Sequence, residues 1–235
     1  MYGSDLAHVH EDAFARFAER AAPELVRLLG RHGIPSGRIV EFGCGGGCVA
    51  RRLTHAGYDV RGFDVSPSMI RLARVKAPRA RFAVASLADT RIPSCDALLA
   101  IGEVVTYVAG GLPALGRFFR RAHEAIRPDG LLIFDFIASV RGRTYPTRTF
   151  AGTSWTMAVR ADVDRRRRLL TRDIVVVRTV NGRSRSSRET HRVRIYEPRT
   201  IVAAVERAGF VVQMPRSYGR AALPRGDRAV VARRI

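Results

Sequence analysis

Residues 39–53 read IVEFGCGGGCVARRL, an apolar run that closes on glycines at 43, 45, 46 and 47 and continues into a stretch with helical spacing. A strand ending in glycines before a helix presents free backbone N–H groups, and the positive end of that helix, to whatever binds there. Several ligands use such a loop. A phosphate-binding P-loop needs Lys and then Ser or Thr behind its last glycine, whereas Gly47 is followed by Cys48, Val49 and Ala50, which excludes it. A dinucleotide fingerprint begun at Gly43 and Gly45 needs a small residue at 48; Cys48 is tolerable there, so that reading is weakened but stays open. Cys44 and Cys48 also suggest a metal or redox pair, yet no Cys or His cluster accompanies them, and small buried thiols are common.

The loop sits in a regular alternation. RIVEF, DVRGFD, ARFAVAS, CDALLAIG and GLLIFDFI read as strands, and CVARRLTHAG, PSMIRLARVKA and PALGRFFRRAHEAIR as helices between them. Strands alternating with helices predict parallel βαβ units and an α/β, doubly wound sheet. Upstream, residues 4–32 read as helix, with Phe14, Phe17, Ala21, Leu25 and Leu28 or Leu29 near one face and Pro23 placed to divide it. After Ile137 the rhythm changes to SWTMAVRADVD, RLLTRDIVVVRTV and SRETHRVRIYE, long β-type segments joined by DRRRR and by VNGRS. Asn181-Gly182 is a strong two-residue hairpin signal, so an antiparallel meander of about three strands is expected here. A helix over PRTIVAAVERAGF and the strands FVVQM and DRAVVARR follow. The expected organisation is an N-terminal helical lid (1–36), a core (37–137 and 198–235) and a β cap inserted after the fifth strand (138–197).

Composition narrows the function classes. The formal net charge is +20, from 41 Lys+Arg against 21 Asp+Glu, which raises the question of nucleic acid. Lys76 is the only lysine, and the arginines are spread along the whole chain, which fits a coding bias better than a phosphate-binding face. The dense run Arg165–Arg168 reads as a solvated hairpin tip. Three cysteines make no disulfide framework in a chain of this size, so a reducing cytoplasm is expected. No window reaches the ~20 apolar residues needed to cross a bilayer, which predicts no membrane partner.

VEFGCGGG resembles the E/D-x-G-x-G-x-G motif of the class I S-adenosylmethionine-dependent methyltransferases, with Glu41, Gly43, Gly45 and Gly47 in register. The likeness continues in YDVRGFDVSPSMIRLAR, FAVASLADTRIP, CDALLAIGEVVTYV, IRPDGLLIFDF and the final RAGFVVQ and DRAVVARR, covering roughly residues 37–137 and 198–234. It implies a Rossmann-like, seven-stranded, mostly parallel sheet and S-adenosyl-L-methionine as cofactor, with S-adenosyl-L-homocysteine as product. It also implies site residues. Glu41 would help place the cofactor's amino group, Gly43, Cys44, Gly45 and Gly47 would give it main-chain room, and Asp64 would accept both ribose hydroxyls. Val65, Met69, Ser86, Leu87 and Ile101 would border the nucleoside. Asp64 lies 21 residues after Gly43, a separation that suits the ribose of NAD equally, so this acid alone does not discriminate. In the family an Asp often stands where Ser86 does, and Asp129 replaces the first glycine of its Pro-Gly-Gly turn.

The acceptor side rests on fewer signals. GEVVTYV resembles the exit loop of small-molecule members of the family, which would bring Glu103 and Tyr107 near the methyl group; the alternative is that Glu103 only caps the next helix. At strand spacing Glu189 and His191 share one face of RETHRVRIY, so a cap folded over the cofactor mouth would make His191 a general base with Glu189 orienting it. The alternative is a histidine in a half-exposed strand. Trp155, Tyr145 and Tyr218 could wall a flat acceptor or simply pack the insert onto the core. His8 and His10 with Glu11 or Asp12 lack further ligands for a metal, so none is expected. Tyr2 or His10 would approach the cofactor if the N-terminal segment is a lid. The leading reading is a small-molecule methyltransferase, monomer or homodimer. The runner-up is an RNA or protein methyltransferase, suggested by charge but lacking an N-P-P-Y-like motif at Ile101–Val104, and an NAD-dependent oxidoreductase is the residual alternative.

Overall fold

The computed structural model describes residues 2–13, 16–142 and 144–235, so the expected face residue Phe14 lies outside the described residues. Helices α1 (Ser4–Ala13) and α2 (Arg16–Arg31) precede β1 (Gly37–Phe42), α3 (Cys48–His55), β2 (Tyr58–Asp64), α4 (Pro67–Lys76), β3 (Arg81–Val84), β4 (Cys95–Ala100), α5 (Gly111–Ala125) and β5 (Ile126–Ile137). Four strands follow, β6 (Thr144–Ala151), β7 (Trp155–Asp164), β8 (Leu169–Val180) and β9 (Arg183–Arg194). The chain then returns through α6 (Pro198–Glu206), β10 (Phe210–Gln213), the short pair β11 (Ser217–Tyr218) and β12 (Ala221–Ala222), and β13 (Asp227–Arg234).

The main sheet has seven strands in the order β10-β13-β5-β4-β1-β2-β3, and only β13 runs against its neighbours. Its central strands are apolar on both faces because helices cover both. Ile39, Val60, Leu99 and Leu131 pack with Leu25 and Leu29 of α2 on one side; Phe42, Leu98 and Phe134 pack with Phe118 and Phe119 of α5 on the other. Winding reverses between β1 and β4, and that reversal opens a crevice at their carboxyl ends. Pro23 does not divide the N-terminal helix. It lies inside α2, where burial of Ala21, Ala22, Leu25, Leu28 and Leu29 outweighs the hydrogen bond a proline forfeits.

The inserted meander has four strands, in the order β6-β7-β8-β9, one more than expected. β6 escapes the sequence pattern because Pro146 falls at a register shift between Tyr145 and Arg148, where an edge strand tolerates a residue without N–H. Asn181 and Gly182 have φ of 51° and 75°, the two positive values of a type I′ turn, and Val180 pairs with Arg183 across it. The inner face of this sheet buries Trp155, Met157, Ile174 and Val176 against Leu6 and Val9 of α1. No helix among the described residues is long and apolar enough to cross a membrane.

Gly47, at the entry of α3, has φ of 82°, and a Cβ there would stand 3.1 Å from the Cα of Ala73 in α4. Gly47→Ala is therefore expected to cost about 1–3 kcal/mol in backbone strain, read as a thermal midpoint lowered by roughly 2–4 °C per kcal/mol. An unchanged midpoint would contradict that strain.

Candidate functional site

The crevice deepens into a cavity of about 520 Å³ at the carboxyl ends of β1, β2 and β4, roofed by α1 and by His191 of β9. The glycine loop is held by its own backbone: the Cys44 N–H donates to Phe63 O at 3.0 Å and the Gly47 N–H to Cys44 O at 2.9 Å. Gly45, with φ of 51°, has open space where a side chain would start, so a ligand can approach its backbone. Gly43 has none, since a Cβ would meet Val104 at 2.3 Å. Gly46 faces Glu11 of α1, which accepts its N–H at 3.1 Å and also pairs with Lys76. Of the expected glycines, Gly43 and Gly45 line the cavity, whereas Gly47 does not and packs against α4.

Two carboxyl groups face this loop. Asp64 ends β2, and its oxygens accept the Gly45 N–H at 3.1 Å and the Ser66 N–H at 2.8 Å. Burial raises its pKa, and those N–H groups oppose the rise. Glu41 is 3% exposed, and its Oε2 has no hydrogen-bond partner among the described residues. Burial, then the charge of Asp64, pushes it up to about 8. An orphaned buried carboxyl oxygen in a cavity wall is a place for a ligand's donor. The apolar wall comes from Met69, Leu87 and Ile101, each buried, and from Val65, exposed at the lip. Ser86 is part of the wall, and its Oγ accepts the Ala88 N–H at 3.1 Å. These residues fit a cationic nucleoside with a free amino group, because room, apolar surface and an unmatched carboxyl oxygen coincide.

At the roof, His191 is 4% exposed and its Nε2 lies 3.0 Å from Oε2 of Glu189. Glu189 stands behind it rather than in the wall and accepts the Gly3 N–H at 2.9 Å. With Nε2–H donated to Glu189, Nδ1 is the basic nitrogen of the neutral ring. Burial lowers the His191 pKa and Glu189 partly offsets that. Tyr2 and Tyr107 set their rings at 5.0 and 5.9 Å from the imidazole, and both border the cavity together with His10.

Three expected acceptor residues are placed elsewhere. Glu103 is outside the wall: its residue has φ of 66°, and the carboxylate reaches across to Arg172 of β8 at 2.9 Å. Trp155 is buried between cap and α1, with its Nε1–H donated to Asp12 at 2.7 Å, so it packs rather than binds. Tyr218 is fully buried beneath the sheet edge and donates its hydroxyl to Asp135 at 3.0 Å. Conversely, the sequence marks Glu11 only as a candidate metal ligand and Phe17 only as a helix-face residue, and Arg172 and Asp135 carry no sequence signal. The first two come from helix faces, Asp135 is a single charge inside an apolar run, and Arg172 stands beside Asp173 in a strand with nothing local to single it out.

A family model described as a methyltransferase domain matches residues 13–214. The ubiquinone biosynthesis O-methyltransferase of Methylobacterium sp. (strain 4-46) is 34% identical over 118 residues, covering 48% of this chain and 43% of that protein. The chain spans about half the length of the curated relatives it matches. Among solved structures, Streptomyces venezuelae DesVI superposes with a TM-score of 0.81 at 19% identity over the whole of both chains. SAM-bound CalS10, an amino pentose methyltransferase from Micromonospora echinaspora, gives 0.78 at 16% over 100% of this chain and 98% of that one. At those identities the likeness is one of fold.

A carboxyl with a pKa of about 8 is protonated at pH 7, and an ammonium set against it favours the charged form and expels the proton. Affinity for S-adenosylhomocysteine is therefore expected to rise from about pH 6 to about pH 8 with proton release, and Glu41→Gln is expected to flatten the rise. Calorimetry in two buffers of different ionisation heat reads both; pH-independent affinity in the unmodified protein contradicts the assignment.

Proposed function

Since the chain belongs to the methyltransferase-domain family, we propose that it transfers the methyl group of S-adenosyl-L-methionine to O, N or C of a small-molecule metabolite, releasing S-adenosyl-L-homocysteine. In this reading residues 1–36 act as a lid, 37–137 and 198–235 hold the cofactor, and 138–197 cap the acceptor. One observation carries it: the buried imidazole of His191 and the carboxyls of Glu41 and Asp64 border one roofed cavity. When bound, the cofactor supplies a methyl group already activated by the positive charge on sulfur. The remaining task is to align and exclude water, which is worth up to ~7–11 kcal/mol in well-oriented intramolecular reactions.

The residues divide that task. Asp64 accepts the ribose hydroxyls, Glu41 takes the amino group, and Met69, Leu87 and Ile101 cover the base. Tyr2 and Tyr107 wall the acceptor. His191 Nδ1 takes the acceptor's proton, while Glu189 fixes the tautomer and steadies the imidazolium that forms. A hydroxyl acceptor needs that step; an amine already neutral does not. The size of the cavity and the carboxyls of Glu11, Glu41 and Asp64 in its wall favour a small acceptor over a polyanion, in a chain whose surface is strongly basic.

A panel of phenols, sugar alcohols and small amines, scored by S-adenosylhomocysteine release, tests the reading. Turnover on one of these classes is expected; release only with generic RNA, falling steeply with salt, would promote the nucleic-acid alternative. On a hydroxyl acceptor, His191→Ala is expected to lower kcat about 10²–10⁴-fold with cofactor affinity unchanged. Because burial lowers the His191 pKa, the base form is present above it, so the rate should fall only below the ordinary histidine range. Full activity of the variant on a hydroxyl acceptor would return His191 to a packing role.

A further inference from the structure

Asp135 stands near the carboxyl end of β5 between Phe134 and Phe136, both fully buried, and is itself 1% exposed. Burying a carboxylate costs several kcal/mol unless its oxygens are well satisfied. Here three donors converge on it. The Gly102 N–H lies 3.0 Å from both oxygens, the Glu103 N–H donates to Oδ1, and the Tyr218 hydroxyl donates to Oδ2 at 3.0 Å. Among the described residues its partners are two backbone N–H groups, which can only donate, and one hydroxyl that donates to it, a set that favours the ionised acid. Burial raises the Asp135 pKa to about 6 against the pull of those donors, which leaves it charged at neutral pH. Nearby Asp227 is pushed to about 8 by burial, then by Glu103 and Asp135, so Asp227 is the carboxyl that gives up its charge.

The two backbone donors belong to an unusual turn. Gly102 and Glu103 have φ of 91° and 66°, two successive left-handed residues, the second of which costs about 1–2 kcal/mol outside glycine. This turn leaves β4 immediately after the cavity residue Ile101, and Gly102 borders the cavity too. Its shape sends the Glu103 side chain away from the core and onto Arg172 at 2.9 and 3.4 Å. Arg172 touches the Tyr107 hydroxyl at 3.4 Å and is the cross-strand partner of His191. A continuous path thus runs from Tyr218 through Asp135, the turn, Glu103 and Arg172 to both acceptor-side residues.

We infer that Asp135, backed by Tyr218, is a positioning residue that fixes the Gly102–Glu103 turn so that Glu103 anchors the cap through Arg172 and sets Tyr107 and His191 over the acceptor. The inference rests on the methyl-transfer reading for its kinetic part alone. Its geometric part is independent. In Asp135→Asn the charge and one of the two oxygens that the Gly102 N–H spans are lost, so the turn keeps only neutral hydrogen bonds, loosens, and weakens the Glu103–Arg172 pair.

The test uses the full chain, amide NMR, S-adenosylhomocysteine calorimetry and the acceptor found in the panel. Asp135→Asn is expected to move the Gly102 and Glu103 amide protons upfield, to lower kcat at least 10-fold and to change S-adenosylhomocysteine affinity less than 3-fold. Tyr218→Phe keeps the carboxylate and is expected to lower kcat by 2- to 5-fold while remaining folded, so it decides the matter where the first variant unfolds. In a Glu103→Gln background Asp135→Asn should add little, because both cut the same path. Additive losses, unmoved amides, or a weakened cofactor with kcat intact overturn the inference. If no acceptor is turned over, methyl transfer fails as the function, and the amide shifts still judge the turn.

Discussion

Wherever a parallel sheet ends, its loops expose backbone N–H groups that need an acceptor, and this chain meets that need with carboxylates. Asp64 holds Gly45 and Ser66, Asp135 holds Gly102 and Glu103, and Glu11 holds Gly46. Each carboxylate therefore fixes a loop that borders the cavity. Glu41 breaks the pattern, since one of its oxygens faces the same space with nothing among the described residues to accept from. A protein whose surface is strongly basic thus carries an acidic interior edge. That edge suits a cationic donor and, under the proposed function, disfavours a polyanionic acceptor.

Closure follows from α1. Asp5 pairs with Arg178 and Arg185 of the cap, Asp12 accepts from Trp155, and Glu11 reaches the glycine loop and Lys76. The Ser66 hydroxyl, which caps α4, also donates to the Tyr2 carbonyl at 2.6 Å. One short helix therefore ties the inserted sheet to the cofactor loop. The Asp5–Arg178 pair is shielded on both sides and holds more firmly than surface pairs such as Arg81 with Asp59, whereas Arg185 and Lys76 reach solvent and add less.

Local patterns were legible and distant contacts were not. The glycine loop, Asp64 and Asn181-Gly182 could be read because backbone conformation there depends on residues next to one another in the chain. Asp135 and Arg172 could not, since a lone charge in a run such as LLIFDFI gives no hint of which distant N–H groups or carboxylates it will meet. The aromatic residues failed for a related reason. Trp155 and Tyr218 have the composition of a binding wall, but whether a ring lines a cavity or fills a seam is decided by tertiary packing. Pairing Glu189 with His191 from period-2 spacing was possible because a strand fixes which residues share a face.

The roof ties the chemistry to the fold in a specific way. His191 is a useful base only if it is neutral and correctly oriented, and both properties come from burial under Tyr2 with Glu189 behind it. Glu189 in turn is held by the Gly3 N–H, from the same segment that supplies Tyr2. Opening α1 would therefore hydrate the imidazole, free its carboxylate and unroof the cofactor loop together. Under the proposed function, basicity at the roof and dryness around the sulfonium would both follow from one closure, so the site would be assembled as a unit.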